Sequence, residues 1–240
     1  MKTILLCGAA LASLLALQGT SNAADARRPV VVVPQVSPWY ASIFGGAAWP
    51  STVVGQYYGS STLDLQMDTG FIVGGTLGMY WHPNFRSEVE LSFLHHDVND
   101  DDFMYSGWCG GSGCSANGSV GAGFLMVNTW WQPSVMPFGH DVRPYIGGGF
   151  GVAWVRPDLT LYDDSDYVWN ETRLAPAAQF GLGIIWSHGG GWEWDLGYRA
   201  KAVLNTTFAA SDSHCSGAAC SAVDVQWVDN IIQIGANFHF

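Results

Sequence analysis

Ile231-Ile232-Gln233-Ile234-Gly235-Ala236-Asn237-Phe238-His239-Phe240 is the stretch whose reading decides the fold. Ile232, Ile234, Ala236, Phe238 and Phe240 share one parity; Gln233, Gly235, Asn237 and His239 share the other. Period-two alternation marks a strand with one apolar and one polar face. In a water-soluble sheet the apolar face would be hidden in a core. In a barrel that crosses a membrane it would face hydrocarbon, and the polar face would line a lumen. Alternation alone does not separate the two cases, so the decision falls to the rest of the chain.

Composition favours the membrane. Of 240 residues, 48% are hydrophobic and 12% charged, with 30 Gly and 12 Trp. That charged fraction is about half of what soluble domains carry. The formal charge is −11, and it becomes −12 once Lys2 leaves with a leader that holds no acid. Nucleic acid is excluded as a partner, because binding it takes clustered Lys and Arg.

Residues 1–23 read as a signal peptide: Lys2 opens it, Ile4 to Leu17 is a short apolar run, and Ser21-Asn22-Ala23 offers small residues for cleavage. Cys7 leaves with it. Residues 24–38, with Arg27-Arg28-Pro29, Pro34 and Pro38, read as a periplasmic linker. No later stretch approaches the ~18 to 20 apolar residues of a membrane helix.

From Trp39 to Phe240 the chain falls into eight alternating segments, at about 39–49, 69–82, 85–97, 120–131, 143–155, 174–187, 192–204 and 223–240. Pro83-Asn84 and His188-Gly189-Gly190-Gly191 read as tight turns; the stretches to Gln66, Ser119, Thr172 and Val223 read as polar loops. Long and short connections alternate, as in barrels with long extracellular loops and short periplasmic turns, so both termini are expected in the periplasm. Trp39, Trp81, Trp131, Trp186, Trp192 and Trp194 fall near one predicted rim, and Trp49, Trp154 and Trp227 near the other. Indole prefers the boundary between headgroup and hydrocarbon. Only closure satisfies every backbone group in lipid. The expectation is all-β: an eight-stranded antiparallel up-and-down transmembrane barrel over 39–240, its lumen filled by side chains.

The segments also carry a family pattern. It runs Thr69-Gly70-Phe71, Gly74-Gly75, Leu77-Gly78; then Arg86-Ser87-Glu88-Val89-Glu90, Asn128, and Arg143-Pro144-Tyr145-Ile146-Gly147-Gly148-Gly149. It ends with Gln179, Gly181, Gly183, Asp195-Leu196-Gly197-Tyr198-Arg199 and Phe240. In this order the chain resembles the small eight-stranded outer-membrane proteins of alphaproteobacteria, of OmpA-like and opacity type, the porin-family barrels. The resemblance implies insertion by the barrel-assembly machinery, which reads the terminal strand with Phe238 and Phe240. The chain departs from the pattern in its cysteine pairs and in an expected lack of a peptidoglycan-binding domain after the barrel.

The candidate constellation is a set of lumen charges. The third segment supplies Arg86, Glu88 and Glu90; the seventh supplies Glu193, Asp195, Arg199 and Lys201. Third and seventh strands lie opposite in a ring of eight, so these side chains can meet across the lumen. Paired charge is tolerable there, while one unpaired buried charge costs several kcal/mol or more. A plug that holds register is the structural reading; an ion path or gate is the functional one.

Cys109 with Cys114, and Cys215 with Cys220, fall in exported loops and suit local disulfides; zinc held with His214, or pairing between loops, are the alternatives. Two acidic runs, Asp97 with Asp100–Asp102 and Asp158 with Asp163, Asp164 and Asp166, fit no calcium loop and suit solvated acid bridged to lipopolysaccharide. His95-His96-Asp97 lacks a nucleophile, since Ser92 has the opposite parity to His95. No cofactor, metal site or catalytic residue is expected. The expected role is a monomeric surface barrel of the Gram-negative outer membrane. Its partners would be outer-membrane lipid and lipopolysaccharide, with loops for envelope stability, adhesion or antigenic contact. A narrow channel or ligand-capturing surface protein is the alternative, and a lipid-modifying enzyme the remote one.

Overall fold

Alternating segments become strands only when a neighbour takes up their backbone groups, and here every barrel segment finds two neighbours. The computed structural model describes residues 37–51, 53–57, 61–105, 114–133, 142–162, 167–169, 171–208 and 223–240. The leader, the linker up to residue 36, Cys109, Cys215, Cys220 and the side chain of Cys114 lie outside the described residues, so the disulfides expected there are not reached.

The strands are β1 (Trp39–Pro50), β2 (Val53–Tyr57), β3 (Ser61–Leu65), β4 (Gly70–His82), β5 (Phe85–Tyr105) and β6 (Cys114–Trp131). They continue as β7 (Val142–Tyr162), β8 (Tyr167–Trp169), β9 (Arg173–Gly189), β10 (Trp192–Phe208) and β11 (Val223–His239). They make eight staves, because three short strands prolong longer ones. β2 continues β1 along β11, β3 continues β4 along β5, and β8 continues β9 along β7. All pairings are antiparallel, and β1 closes on β11 from Tyr40 opposite His239 to Pro50 opposite Asp229, giving an eight-stranded closed barrel.

The register fixes the shape. Stepping across strand partners from Tyr40 passes Gly78, Glu88, Asn128, Gly149, Gln179, Lys201 and Asp229, and arrives at Pro50. One circuit therefore climbs the ten residues between positions 40 and 50. Such a stagger tilts the strands by roughly 35–45° and leaves an interior that side chains can fill.

The outer face follows the predicted parity. Ile43 and Phe150 are each 73% exposed, and Phe71, Leu77, Leu91, Leu182, Leu196, Ile232 and Ile234 stand out around the wall. Trp39, Trp81, Trp131, Trp186, Trp192 and Trp194 stand exposed at the end that carries the tight turns. Pro83-Asn84 makes one of these turns, and Gly190-Gly191 the other. The second needs glycine, since both residues take positive φ, +69° and +81°. No helix among the described residues is long and apolar enough to cross a membrane, which does not bear on strands.

Three expectations are corrected. First, much of the expected loops is paired strand. The polar stretch before Gln66 holds β2 and β3, β5 runs on to Tyr105 while β6 starts at Cys114, and β7 reaches Tyr162 with β8 beside it. A ladder needs only backbone groups, so polar residues extend it once the strands are in register; their composition suggested loop. Second, Trp227 is not in the outer belt. It is 4% exposed and points inward, because its parity is opposite to that of Val228, Ile232 and Phe238. Third, the lumen is not polar throughout. Its loop-end half is an apolar core with Ile72, Leu94, Val98, Phe124, Met126, Val155 and Ile231 buried together.

Candidate functional site

Inward parity places Arg86, Glu88, Glu90 and Ser92 on β5 directly across from Asp195, Arg199 and Lys201 on β10, and all are buried. The structure joins them into two connected groups. In the first, Arg86 Nη2 donates to Asp195 Oδ2 at 3.2 Å, and Tyr145 Oη donates to Asp195 Oδ1 at 2.6 Å. Arg199 Nη2 donates to the same Tyr145 oxygen at 2.9 Å. The two guanidiniums also lie on aromatic faces: Arg86 is 4.8 Å from the Tyr145 ring centre and Arg199 4.2 Å from that of Trp130. Cations over π faces recover part of the hydration lost on burial.

The second group centres on Glu90. Lys201 Nζ and Ser92 Oγ donate to its Oε1, and Gln179 Nε2 and Asn128 Nδ2 donate to its Oε2, at 2.8 and 2.9 Å. Asn128 also reaches Glu88 Oε1 at 3.3 Å, and Tyr40 Oη donates to Glu88 Oε2 at 2.7 Å. Both Glu90 oxygens therefore hold two donors each, and the carboxylate is matched by a cation and by neutral hydrogen bonds. This is the arrangement in which buried charge is least costly.

Small residues opposite make room for these groups. A Cβ on Gly181 would come within 2.8 Å of Tyr198 O and closer still to the Arg199 side chain. Around the charges, a void of about 10 Å³ is left among Thr76, Glu88, Asp195 and Gln233, about the space of one water.

Glu193 sits apart from the other predicted charges, at the turn-end mouth. It accepts from Arg143, from Ser187 Oγ at 2.8 Å, and lies 3.0 Å from His239 Nε2. The mouth itself is an open vestibule of about 660 Å³ with Tyr80 and Pro38 on its rim.

At the loop end one polar cluster interrupts the apolar core. His96 Nε2 lies 2.9 Å from Asp229 Oδ1, and His96 Nδ1 lies 2.9 Å from the carbonyl oxygen of Asp68. A carbonyl only accepts, so Nδ1 carries a proton. Trp227 Nε1 donates to Asp229 Oδ2 at 2.9 Å.

The sequence points to the charges but assigns no lumen role to Tyr40, Tyr145, Trp130, His96 or Asp229. Each stands on the inward parity of its strand, which is the signal that could have found them. Ser92 turns inward to Glu90 while His95 faces out, so the two are on opposite sides of the wall. Asp97 and Asp158 are exposed, and the other acids of the two runs lie outside the described side chains. Among the described residues no group of three or more His, Cys, Asp or Glu is placed to hold a metal ion. Phe238 and Phe240 both face outward on the last strand.

Solved structures of similar fold include two bacterial barrels. Neisserial surface protein A aligns with a TM-score of 0.51 at 13% identity, over 85% of this chain and 99% of its own. The outer membrane protein OprG from Pseudomonas aeruginosa aligns with a TM-score of 0.53 at 12% identity, over 85% of this chain and 98% of its own. At these identities the likeness is one of fold. No family model matches the sequence, and no curated protein matches it.

Proposed function

We propose that the chain is a structural, surface-presenting barrel of the bacterial outer membrane, akin to the small barrels of alphaproteobacteria. It is a monomer inserted by the barrel-assembly machinery, with both termini periplasmic and its strand extensions outside. The observation that carries this reading is the doubly filled lumen. Two charge groups span the ring, with a void of about 10 Å³ among them, and an apolar core of described residues lies beyond them. A side-chain-packed interior supports a role for the wall and loops in place of transport. The exposed apolar wall with its row of Trp supports a lipid surround. The similar structures are those of a surface protein and an outer membrane protein, which agrees with this location. The extended strands then serve as a stiff base for loops that meet the surroundings, in envelope stability, adhesion or antigenic contact.

Planar-bilayer recording tests the reading. The purified chain should insert without stable conductance steps. Steps that change on Glu90→Ala or Arg199→Ala would make it a channel. The enzyme alternative is read separately, by comparing lipid A from cells with and without the gene; an altered acyl pattern would favour it.

A further inference from the structure

At one place on the wall a glycine that packing does not require lies in a groove. On the outward face, three strands pair rung by rung: Phe93, Gly123 and Trp154 form one rung, and His95, Gly121 and Arg156 the next toward the loop end. The Trp154 ring lies over Gly123, so that glycine is filled by its neighbour. Gly121 is different. A Cβ there would meet the Phe93 ring edge at 3.5 Å and Arg156 O at 3.9 Å, both ordinary contacts. A side chain would fit, and its absence opens a groove of about 460 Å³ between His95 and Arg156. Those residues are two strand spacings apart, about 10 Å.

Arg156 is the second anomaly. Six Lys or Arg lie among the described residues. Arg86, Arg143, Arg199 and Lys201 are paired inside the barrel, and Arg173 pairs with Glu171. Arg156 alone of the six stands exposed on the outer wall with no ion pair among the described residues. In a chain of net charge −11, a lone outward guanidinium at the end of the apolar belt is complementary to an external anion. Guanidinium suits phosphate, which it can hold with two parallel hydrogen bonds. Below it lie Phe93 and Trp154; two hydroxyl-bearing residues, Thr172 and, one rung further out, Ser119, also line the groove. Asp97 and Asp158 stand one rung further out on either side of Ser119, and Asp158 also lines the groove, so an anion is confined to the Arg156 rung, away from that carboxylate.

We propose that this notch binds a phosphorylated glycolipid of the surrounding leaflet. Arg156 holds the phosphate, the rim hydroxyls meet the sugar, and acyl chains run down over Phe93 and Trp154. The hydroxyls favour a sugar headgroup over a glycerophospholipid. The proposal rests on the outer-membrane reading above.

The test uses the full chain, refolded in detergent and checked for heat-modifiable gel migration, with native mass spectrometry to count bound lipid. The probes are bisphosphorylated lipid A, the same lipid without phosphates, and phosphatidylglycerol. Wild type should retain lipid A in preference to both others. Arg156→Gln should weaken retention about tenfold, in line with loss of a charge-assisted phosphate contact, and Arg156→Lys less. Gly121→Leu fills the notch and should weaken it comparably, with migration unchanged. Equal binding by wild type and Arg156→Gln, or equal binding of the phosphate-free lipid, would overturn the site. Phosphatidylglycerol bound as well as lipid A would overturn the glycolipid assignment. A wild-type chain showing no heat-modifiable form would instead sink the membrane reading itself.

Discussion

Lys201 on β10 and Glu90 on β5, 111 residues apart in sequence, meet across the lumen with Nζ 2.5 Å from Oε1. The contact joins opposite staves of the ring, so it spans the full width of the barrel. Breaking a buried pair by removing one partner costs ~3–5 kcal/mol, because the other charge stays behind uncompensated. Lys201→Met should therefore destabilise the barrel by about that much, as should Glu90→Leu. The double variant should cost clearly less than the two singles together, since it leaves neither charge alone. Urea unfolding in lipid vesicles, followed by gel migration, gives the four values. Strict additivity would mean that the pair is not coupled.

The glycines of the wall should split by what faces them. Gly181 points inward, where a side chain would collide with the Arg199 stem and Tyr198 O. Gly181→Val should sharply lower the folded fraction, because neither the backbone oxygen nor a packed guanidinium can retreat. Gly121→Val faces outward with a nearest contact of 3.5 Å and should fold as wild type does. The folded fraction after refolding, read on a gel, compares them directly. Equal yields would show that the lumen is looser than drawn.

The fold was legible because its signal is repeated. Alternation recurs in every barrel strand and carries the stave count and the inward placing of Arg86, Glu90, Asp195, Arg199 and Lys201, while Pro83-Asn84 and the glycines at 189–191 mark the two tight turns. What could not be read depends on height in the barrel and on partners. Parity says that Ile72, Leu94 and Phe124 point inward; it does not say that they meet one another and make an apolar core. Tyr145 carries no charge to mark it, yet it bridges Asp195 to Arg199. Gly121 looks like any other glycine until its neighbours are known.

Trp227 and Trp49 make a useful contrast at the loop end. Trp49 is exposed on the wall; Trp227 is buried and donates to Asp229 Oδ2. Trp227→Phe removes that donor and strands a buried carboxylate oxygen, at about 1–3 kcal/mol. Trp49→Phe keeps an aromatic at the boundary and should cost less than about 0.5 kcal/mol, as surface changes do. Unfolding midpoints at fixed lipid composition separate the two, and a larger loss for Trp49 would put Trp227 back in the belt.

The lipid surround itself can be probed with one charge. Leu182 on β9 faces outward at mid-strand, with Phe180 and Ile184 on either side of it on that face. If hydrocarbon lies against it, Leu182→Arg should destabilise the folded, inserted barrel by ~2–4 kcal/mol, the cost of a cation at mid-bilayer on a barrel exterior. Asn99 is also exposed, but it lies on β5 toward the loop end, beyond the apolar rows. Asn99→Arg should then cost within about 0.5 kcal/mol, as in water. The comparison is made in vesicles and repeated in a short-chain detergent, where the penalty at Leu182 should shrink because detergent deforms around the charge. Equal, small effects at both positions in vesicles would mean that the wall meets water at Leu182, and the barrel would have to be read as a soluble one.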